Sequence, residues 1–265
     1  MADAWRVIID ESLPGIENMA RDALLLESAA HDHEPQTTLR FYRWIIPTLS
    51  LGNKQDPEIT ADLDFCRDNG VDIVRRPTGG GAVLHHLELT YSIVSNDRIF
   101  FPSHSILDIY RLVADALCRG LGNLKITAQA VKNEVTAREN RRNYIQSPLP
   151  CFSAPSQFEI CVKDKKIIGS AQKRSREAFL QHGSIPYNYE WPLQAGAMRS
   201  TAEELQKSMT AIGEHTSSLP SYREMVEAFL QGFATSFRTK MNIEPFSEDE
   251  IRRAGAHGPL FKVDY

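Results

Sequence analysis

Three consecutive glycines, Gly79, Gly80 and Gly81, stand between two strand-forming runs, residues 71–75 and 82–84. No other feature limits the fold of this chain as much. A loop without Cβ atoms lets the backbone come close to a neighbour and leaves its N–H groups uncovered, so it can hold a phosphate, a carboxylate or an acyl carbonyl. No Gly-Lys-Ser/Thr follows, which excludes a P-loop, and the GxGxxG spacing of a dinucleotide site is missing. Taken alone, the triplet fits a structural hairpin turn as well as a binding site.

The runs around the loop alternate strand and helix. Residues 7–9 form a short strand, and after the Leu13-Pro14-Gly15 turn Ile16, Met19, Ala20, Ala23 and Leu24 recur at helical spacing. Residues 39–46 are β-rich and 47–51 continue them. Residues 58–69 are expected as one helix stopping at Gly70, 89–94 as a strand, and 108–121 as an amphipathic helix ending at Gly120 and Gly122. A polar, basic loop over 137–150 leads into Cys151. Beyond it come a hairpin of 158–162 and 166–168, a strand over 178–185, and helices over 200–212, 221–240 and 247–254. The pattern predicts one domain over residues 1–192 together with much of the C-terminal region, with residues 193–265 as a helical extension packed on it.

The 265 residues carry a net charge of −4, which argues against general nucleic-acid binding despite basic clusters at 138–142 and 163–176. No stretch approaches the ~20 apolar residues of a membrane helix. The N-terminal segment, with Asp3 and Asp10 and only a short apolar run, lacks the pattern of a signal peptide. A cytoplasmic protein is therefore expected. Four cysteines without a CxxC pair read as reduced thiols, with neither disulfides nor a structural zinc site.

Chemistry points to two residues of one stretch, CFSAPSQFEICVKDKKIIGSAQKR. Cys151 sits among Pro148, Pro150 and Pro155, which restrict the backbone, and Lys166 opens an apolar strand ending in Gly169-Ser170-Ala171. An ammonium beside a thiol favours the nucleophilic thiolate, provided the two side chains meet. Otherwise Cys151 is a small buried hydrophobe; Cys66, Cys118 and Cys161 are read that way. His85 and His86 offer a proton-transfer group or a ligand-orienting donor. His182 is either a pocket residue or a partner for a buried backbone group.

RRPTGGGAVLHH (75–86), then ELTYSIV, CFSAPSQFE, KKIIGSAQKR and LQHGSI, together with the opening LPGIENMARDALLLE and RFYRWIIPTLSLGNKQ, resembles the lipoate-protein ligase and octanoyltransferase branch of the biotin/lipoate protein ligase superfamily. The likeness spans most of residues 5–190. It implies an α/β (α+β) fold, a mixed and mostly antiparallel sheet flanked by helices. It also implies transfer of an octanoyl group from octanoyl-acyl carrier protein to a lysine of a lipoyl-domain protein, either a glycine-cleavage H protein or a dehydrogenase E2 subunit. Cys151 falls on the acyl-bearing cysteine of CFxxPSxxE, and Lys166 on the lysine that lowers its pKa and stabilises the oxyanion. Arg76, Thr78, Gly79, Gly80, Gly81, His85, Gly169, Ser170, Ala171 and His182 fall on the substrate-binding segments. Leu84 and Ile168 are expected as walls of the acyl site. Lys163, Lys165, Lys173, Arg174 and Arg176 are expected to dock acidic partners. No metal or cofactor is expected, and the chain is expected to be a monomer. Gly81 stands where such transferases often carry arginine and ligases often carry glycine. An ATP-dependent lipoate ligase is the first alternative, and a non-catalytic binder of lipoyl domains or carriers the second.

Overall fold

The computed structural model describes residues 4–103, 105–132 and 158–264. Cys151 and the basic loop before it lie outside these residues. In chain order the elements are β1 (Ala4–Leu13), α1 (Gly15–His31), β2 (Thr37–Trp44), β3 (Thr48–Leu51), α2 (Pro57–Thr60), α3 (Leu63–Asp68), β4 (Asp72–Arg75), β5 (Val83–His85), β6 (Glu88–Ser95) and α4 (Ile106–Asn123). They continue with β7 (Gln129–Lys132), β8 (Phe158–Val162), β9 (Lys165–Ser175), β10 (Ala178–Pro186), α5 (Trp191–Ala197), α6 (Ala202–Ser208), α7 (Tyr222–Phe237), β11 (Lys240–Ile243) and α8 (Glu248–His257).

Among the described residues, eight strands form one sheet in the order β11-β1-β2-β6-β10-β9-β8-β7, and β4-β3-β5 form a second, smaller one. In the large sheet β1 runs parallel to both β11 and β2, and every other pair is antiparallel. This is the mixed, mostly antiparallel sheet expected. Alternation of side chains explains its two faces. Leu39 and Phe41 of β2, Leu89, Tyr91 and Ile93 of β6, and Phe179 and Ile185 of β10 join the main core, against Val113 and Leu117 of α4 and Phe229 and Phe233 of α7. Trp5 anchors that core, 4.5 Å from the Phe237 ring and 5.4 Å from Phe100.

Several boundaries depart from the sequence pattern for physical reasons. The helix expected over 58–69 is two short ones, because Asp62 caps a new start by accepting from the Phe65 N–H. Helix α4 does not stop at Gly120; a Cβ there would lie 2.3 Å from Phe229 Cδ1, so glycine is the condition for α4 and α7 to meet closely. Strand β9 does not end at Gly169-Ser170-Ala171 but runs on to Ser175. The hairpin before it turns on Lys163 (φ 48°) and Asp164 (φ 65°), the two left-handed residues of a tight turn that suits the strand twist. The region after Pro192 is not wholly helical, since β11 extends the large sheet along β1.

Candidate functional site

The other face of the large sheet is polar, and strand register builds a site from it. Arg40, Ser92, His182 and Ala171 stand opposite one another across β2, β6, β10 and β9; the next row is Tyr42, Thr90, Ser184 and Gly169. Helix α1 covers this face with Asn18 and Asp22, one turn apart and both fully buried.

Arg40 has no exposed surface, and its guanidinium donates to Asp10 at 2.7 Å, Asp22 at 2.8 Å and the Asn18 side-chain oxygen at 2.7 Å. Asp22 also accepts from Tyr42 Oη, Ser92 Oγ and His182 Nδ1. Burial pushes the Asp22 carboxyl up, but the His182 hydrogen bond and the Arg40 charge outweigh it and hold the group below the usual range. Burial is also the main reason that His182 sits below an ordinary imidazole, so its ring is neutral. Nδ1–H therefore donates to Asp22, and Nε2 is left to accept from Thr78 Oγ1 at 2.7 Å.

A second chain of the same kind lies beside it. His85 Nδ1 is 2.8 Å from Glu88 Oε1, and its Nε2 is 2.8 Å from Ser50 Oγ. Thr90 and Ser184 also donate to Glu88. The His85 ring stacks on Trp44 with centroids 4.0 Å apart and planes 11° from parallel. Arg76 joins the two chains, its Nε reaching Thr78 Oγ1 at 3.1 Å and its Nη1 reaching Ser50 Oγ at 3.2 Å. The same guanidinium donates to the carbonyls of Gly79 and Gly81, each at 2.7 Å. The glycine loop thus wraps a buried cation with its carbonyls turned inward. Gly80 has φ 95°, and a side chain on Gly52 would lie 2.1 Å from the Gly80 carbonyl oxygen.

A cavity opens over these groups. Of the residues singled out in the sequence, Arg76, His85, Gly169, Ser170, Ala171 and His182 line it; Met19, Trp44 and Val83 add apolar wall. Thr78 is one hydrogen bond behind His182, and Gly79, Gly80 and Gly81 shape the loop around Arg76. Leu84 is not a wall. It alternates with Val83 and His85, so it points into the second apolar cluster with Leu49 and Ile73. Ile168 likewise belongs to the main core, because it alternates with Gly169, which faces the cavity. His86 points away from the cavity, 3.6 Å from Glu190.

Lys166 is 3% exposed, and its Nζ lies 2.8 Å from Glu159 Oε1 in a buried ion pair. Cys161 stands opposite Lys166, yet its thiol is pushed up to about 11, by burial first and by Glu159 next. Burial also pushes Cys66 and Cys118 up to about 11. None of these three is an activated nucleophile at neutral pH. The basic run from Lys163 to Arg176 does not form one patch. Lys163 and Lys165 stand at one end of β9, and Lys173, Arg174 and Arg176 at or beyond the other, about 30 Å away at ~3.3 Å per residue.

Among the described residues no group of three or more His, Cys, Asp or Glu is placed to hold a metal, and no helix is long and apolar enough to cross a membrane. Sequence reasoning passed over Asp22, Arg40, Ser50 and Glu88. A usable signal was present: Asn18 and Asp22 fall on the buried side of α1, and Glu88 and Thr90 share the β6 face that carries Ser92.

Comparison with known proteins places the chain. The family model described as lipoyl protein ligase A/B catalytic domain matches residues 14–234, and the chain belongs to that family. Among its relatives, octanoyltransferase LipM of Carboxydothermus hydrogenoformans is 37% identical over 243 residues, covering 89% of this chain and 87% of that protein. Octanoyltransferase LipM of Brevibacillus brevis is 34% identical over 263 residues, covering 95% of this chain and 94% of that one. The fold is shared with lipoate-protein ligase A bound with ATP (TM-score 0.78, 24% identity, 97% of this chain and 94% of that one). It is shared too with the bipartite lipoate protein ligase, studied with its E2 lipoyl domain, from Thermoplasma acidophilum (TM-score 0.77, 21% identity, 97% and 92%).

Proposed function

We propose that this protein is an octanoyltransferase of protein lipoylation, moving an octanoyl group from acyl carrier protein to a lysine of a lipoyl domain through a thioester on Cys151. The observation that carries the reading is the near end-to-end match to relatives of that activity, at 34–37% identity. The cavity suits it: Met19, Trp44 and Val83 offer an apolar bed for an alkyl chain beside the polar groups of β6 and β10. The thiols of Cys66, Cys118 and Cys161, each raised to about 11, are poor nucleophiles at neutral pH, which is consistent with the assignment of that role to Cys151 by family resemblance.

In the first step the Cys151 thiolate attacks the carrier thioester, a new C–S bond forms and the carrier leaves as its thiol. In the second, the acceptor amine attacks the acyl-Cys151 carbonyl and the amide forms. The ammonium of Lys166, held by Glu159, supplies positive charge for the thiolate and the oxyanion. An amide is more stable than a thioester, so no ATP is needed. The protein acts as a single domain with its C-terminal segment, as a monomer in the cytoplasm.

Intact mass after incubation with octanoyl-acyl carrier protein and no ATP tests this. An octanoyl adduct is expected on the wild type and not on Cys151→Ser. An adduct on both would move the nucleophile elsewhere; none on either, with ATP and free lipoate modifying an acceptor, would make the protein a ligase.

A further inference from the structure

Polar side chains make up much of the cavity lining, which sits poorly with an alkyl chain as its occupant. Where each hydrogen goes resolves this. Tyr42 Oη and His182 Nδ1 donate to Asp22, beneath α1. The guanidinium N–H groups of Arg76 go to Thr78 Oγ1, Ser50 Oγ and the carbonyls of Ser50, Gly79 and Gly81. Ser170 turns its Oγ to Tyr91 Oη, 2.8 Å away on the opposite face of the sheet.

The remaining donors converge on one carboxylate. Glu88 is 4% exposed; its Oε1 accepts from His85 Nδ1 and Thr90 Oγ1, and its Oε2 from Ser184 Oγ. Thr90 Oγ1 in turn accepts from Trp44 Nε1 at 2.7 Å. With the Nδ1 hydrogen of His85 given to Glu88, Nε2 accepts, and Ser50, which already receives an Arg76 N–H, donates to it. A hydroxyl carries one hydrogen, so Ser50, Thr90 and Ser184 have none left. Towards the cavity these side chains present only carbon and oxygen lone pairs.

We propose that Glu88 is a positioning residue for substrate selection: by taking the hydrogens of the wall, it makes the cavity accept an unsubstituted alkyl chain and reject one that carries a carbonyl or ether oxygen. This rests on the octanoyltransferase reading above. An acceptor oxygen entering the cavity gives up its hydrogen bonds to water and meets no side-chain donor, a loss of roughly 10- to 100-fold in transfer. A wall with a free hydroxyl would discriminate less. Glu88→Gln creates such a wall: the amide oxygen still accepts from His85 and Thr90, but an NH2 group in place of the second oxygen cannot accept from Ser184. The Ser184 O–H is then released to the cavity.

The test is a competition. The protein receives octanoyl-acyl carrier protein mixed with ether analogues, in which oxygen replaces one methylene after another along the chain, and a lipoyl domain as acceptor. The product ratio on the lipoyl domain, read by mass, gives the relative kcat/KM of the two donors whatever the overall rate. The wild type is expected to favour octanoyl about 30-fold over the analogue whose oxygen lies against Ser184, and Glu88→Gln to narrow that preference about tenfold. Adding Ser184→Ala to Glu88→Gln should bring the preference back, a response that a merely loosened wall would not give. Thr90→Val, which takes the acceptor from the Trp44 N–H, should narrow the ratio in the same direction and serves if Glu88→Gln does not fold. Unchanged ratios in these variants, or a narrowing that survives Ser184→Ala, overturn the proposal alone. Failure of the wild type to transfer octanoyl at all overturns the octanoyltransferase reading, and the selection by Glu88 with it.

Discussion

The two faces of the large sheet are both buried, but one is closed by apolar packing and the other by charge. Beneath α4 and α7, rings and branched side chains fill the space around Trp5; beneath α1, Arg40, Asp22, Asn18, Tyr42 and His182 hold one another through hydrogen bonds. Apolar contact is tolerant of direction, whereas a buried polar network stands only when each donor meets an acceptor. The difference explains where chemistry resides. A site that must hold a proton or a charge in a fixed place belongs on the polar face, and the cavity lies there.

The comparison can be broken from either side. Arg40→Met should cost the most, about 4 kcal/mol in urea unfolding, because Asp10 and Asp22 lose their buried counter-charge. It should also depress octanoyl transfer by loosening His182 and the loop beyond it. Phe229→Ala on the opposite face should cost about 3 kcal/mol through an unfilled core, while activity per folded molecule stays near the wild type. Equal loss of specific activity in both variants would erase the distinction between the faces. Gly120→Ala, whose Cβ would press on the Phe229 ring, should cost about 2 kcal/mol and again spare activity.

The smallest effect is on pH dependence. His182 has a folded pKa below its ordinary 6.5, so the unfolded chain takes a proton there first; the stability this gives is present above 6.5 and is lost as pH falls below it. Asp22, also held below its usual value, extends the loss through the carboxylate range. A melting-temperature profile should slope downward on acidification below about 6.5, and His182→Asn should flatten its upper part. An unchanged slope in that variant would mean that His182 is not the group responsible.

Much of the fold is legible because its signals are local. The β8–β9 hairpin, helix α1 and the glycine loop each follow from neighbouring residues. Strands β7 and β11 are not read in this way, since each is short and is defined by its partner, β8 or β1, rather than by its own pattern. The site divides similarly. His85, His182, Arg76 and the Gly169-Ser170-Ala171 segment stand out as motifs, and they do meet at the cavity. Asp22 and Glu88 carry no motif; their role arises from register, which sets Arg40 beside Ser92 and His182, and Tyr42 beside Thr90 and Ser184. Leu84 and Ile168 show the opposite error, where apolar character near a motif suggested a wall and strand geometry turned the side chains into the core.

The most direct measurement is a transfer assay with purified protein, octanoyl-acyl carrier protein and a lipoyl domain, in the absence of ATP, read by the mass of the lipoyl domain. The account predicts octanoylation of its lysine by the wild type. No product without ATP, together with lipoylation when ATP and free lipoate are supplied, would contradict it.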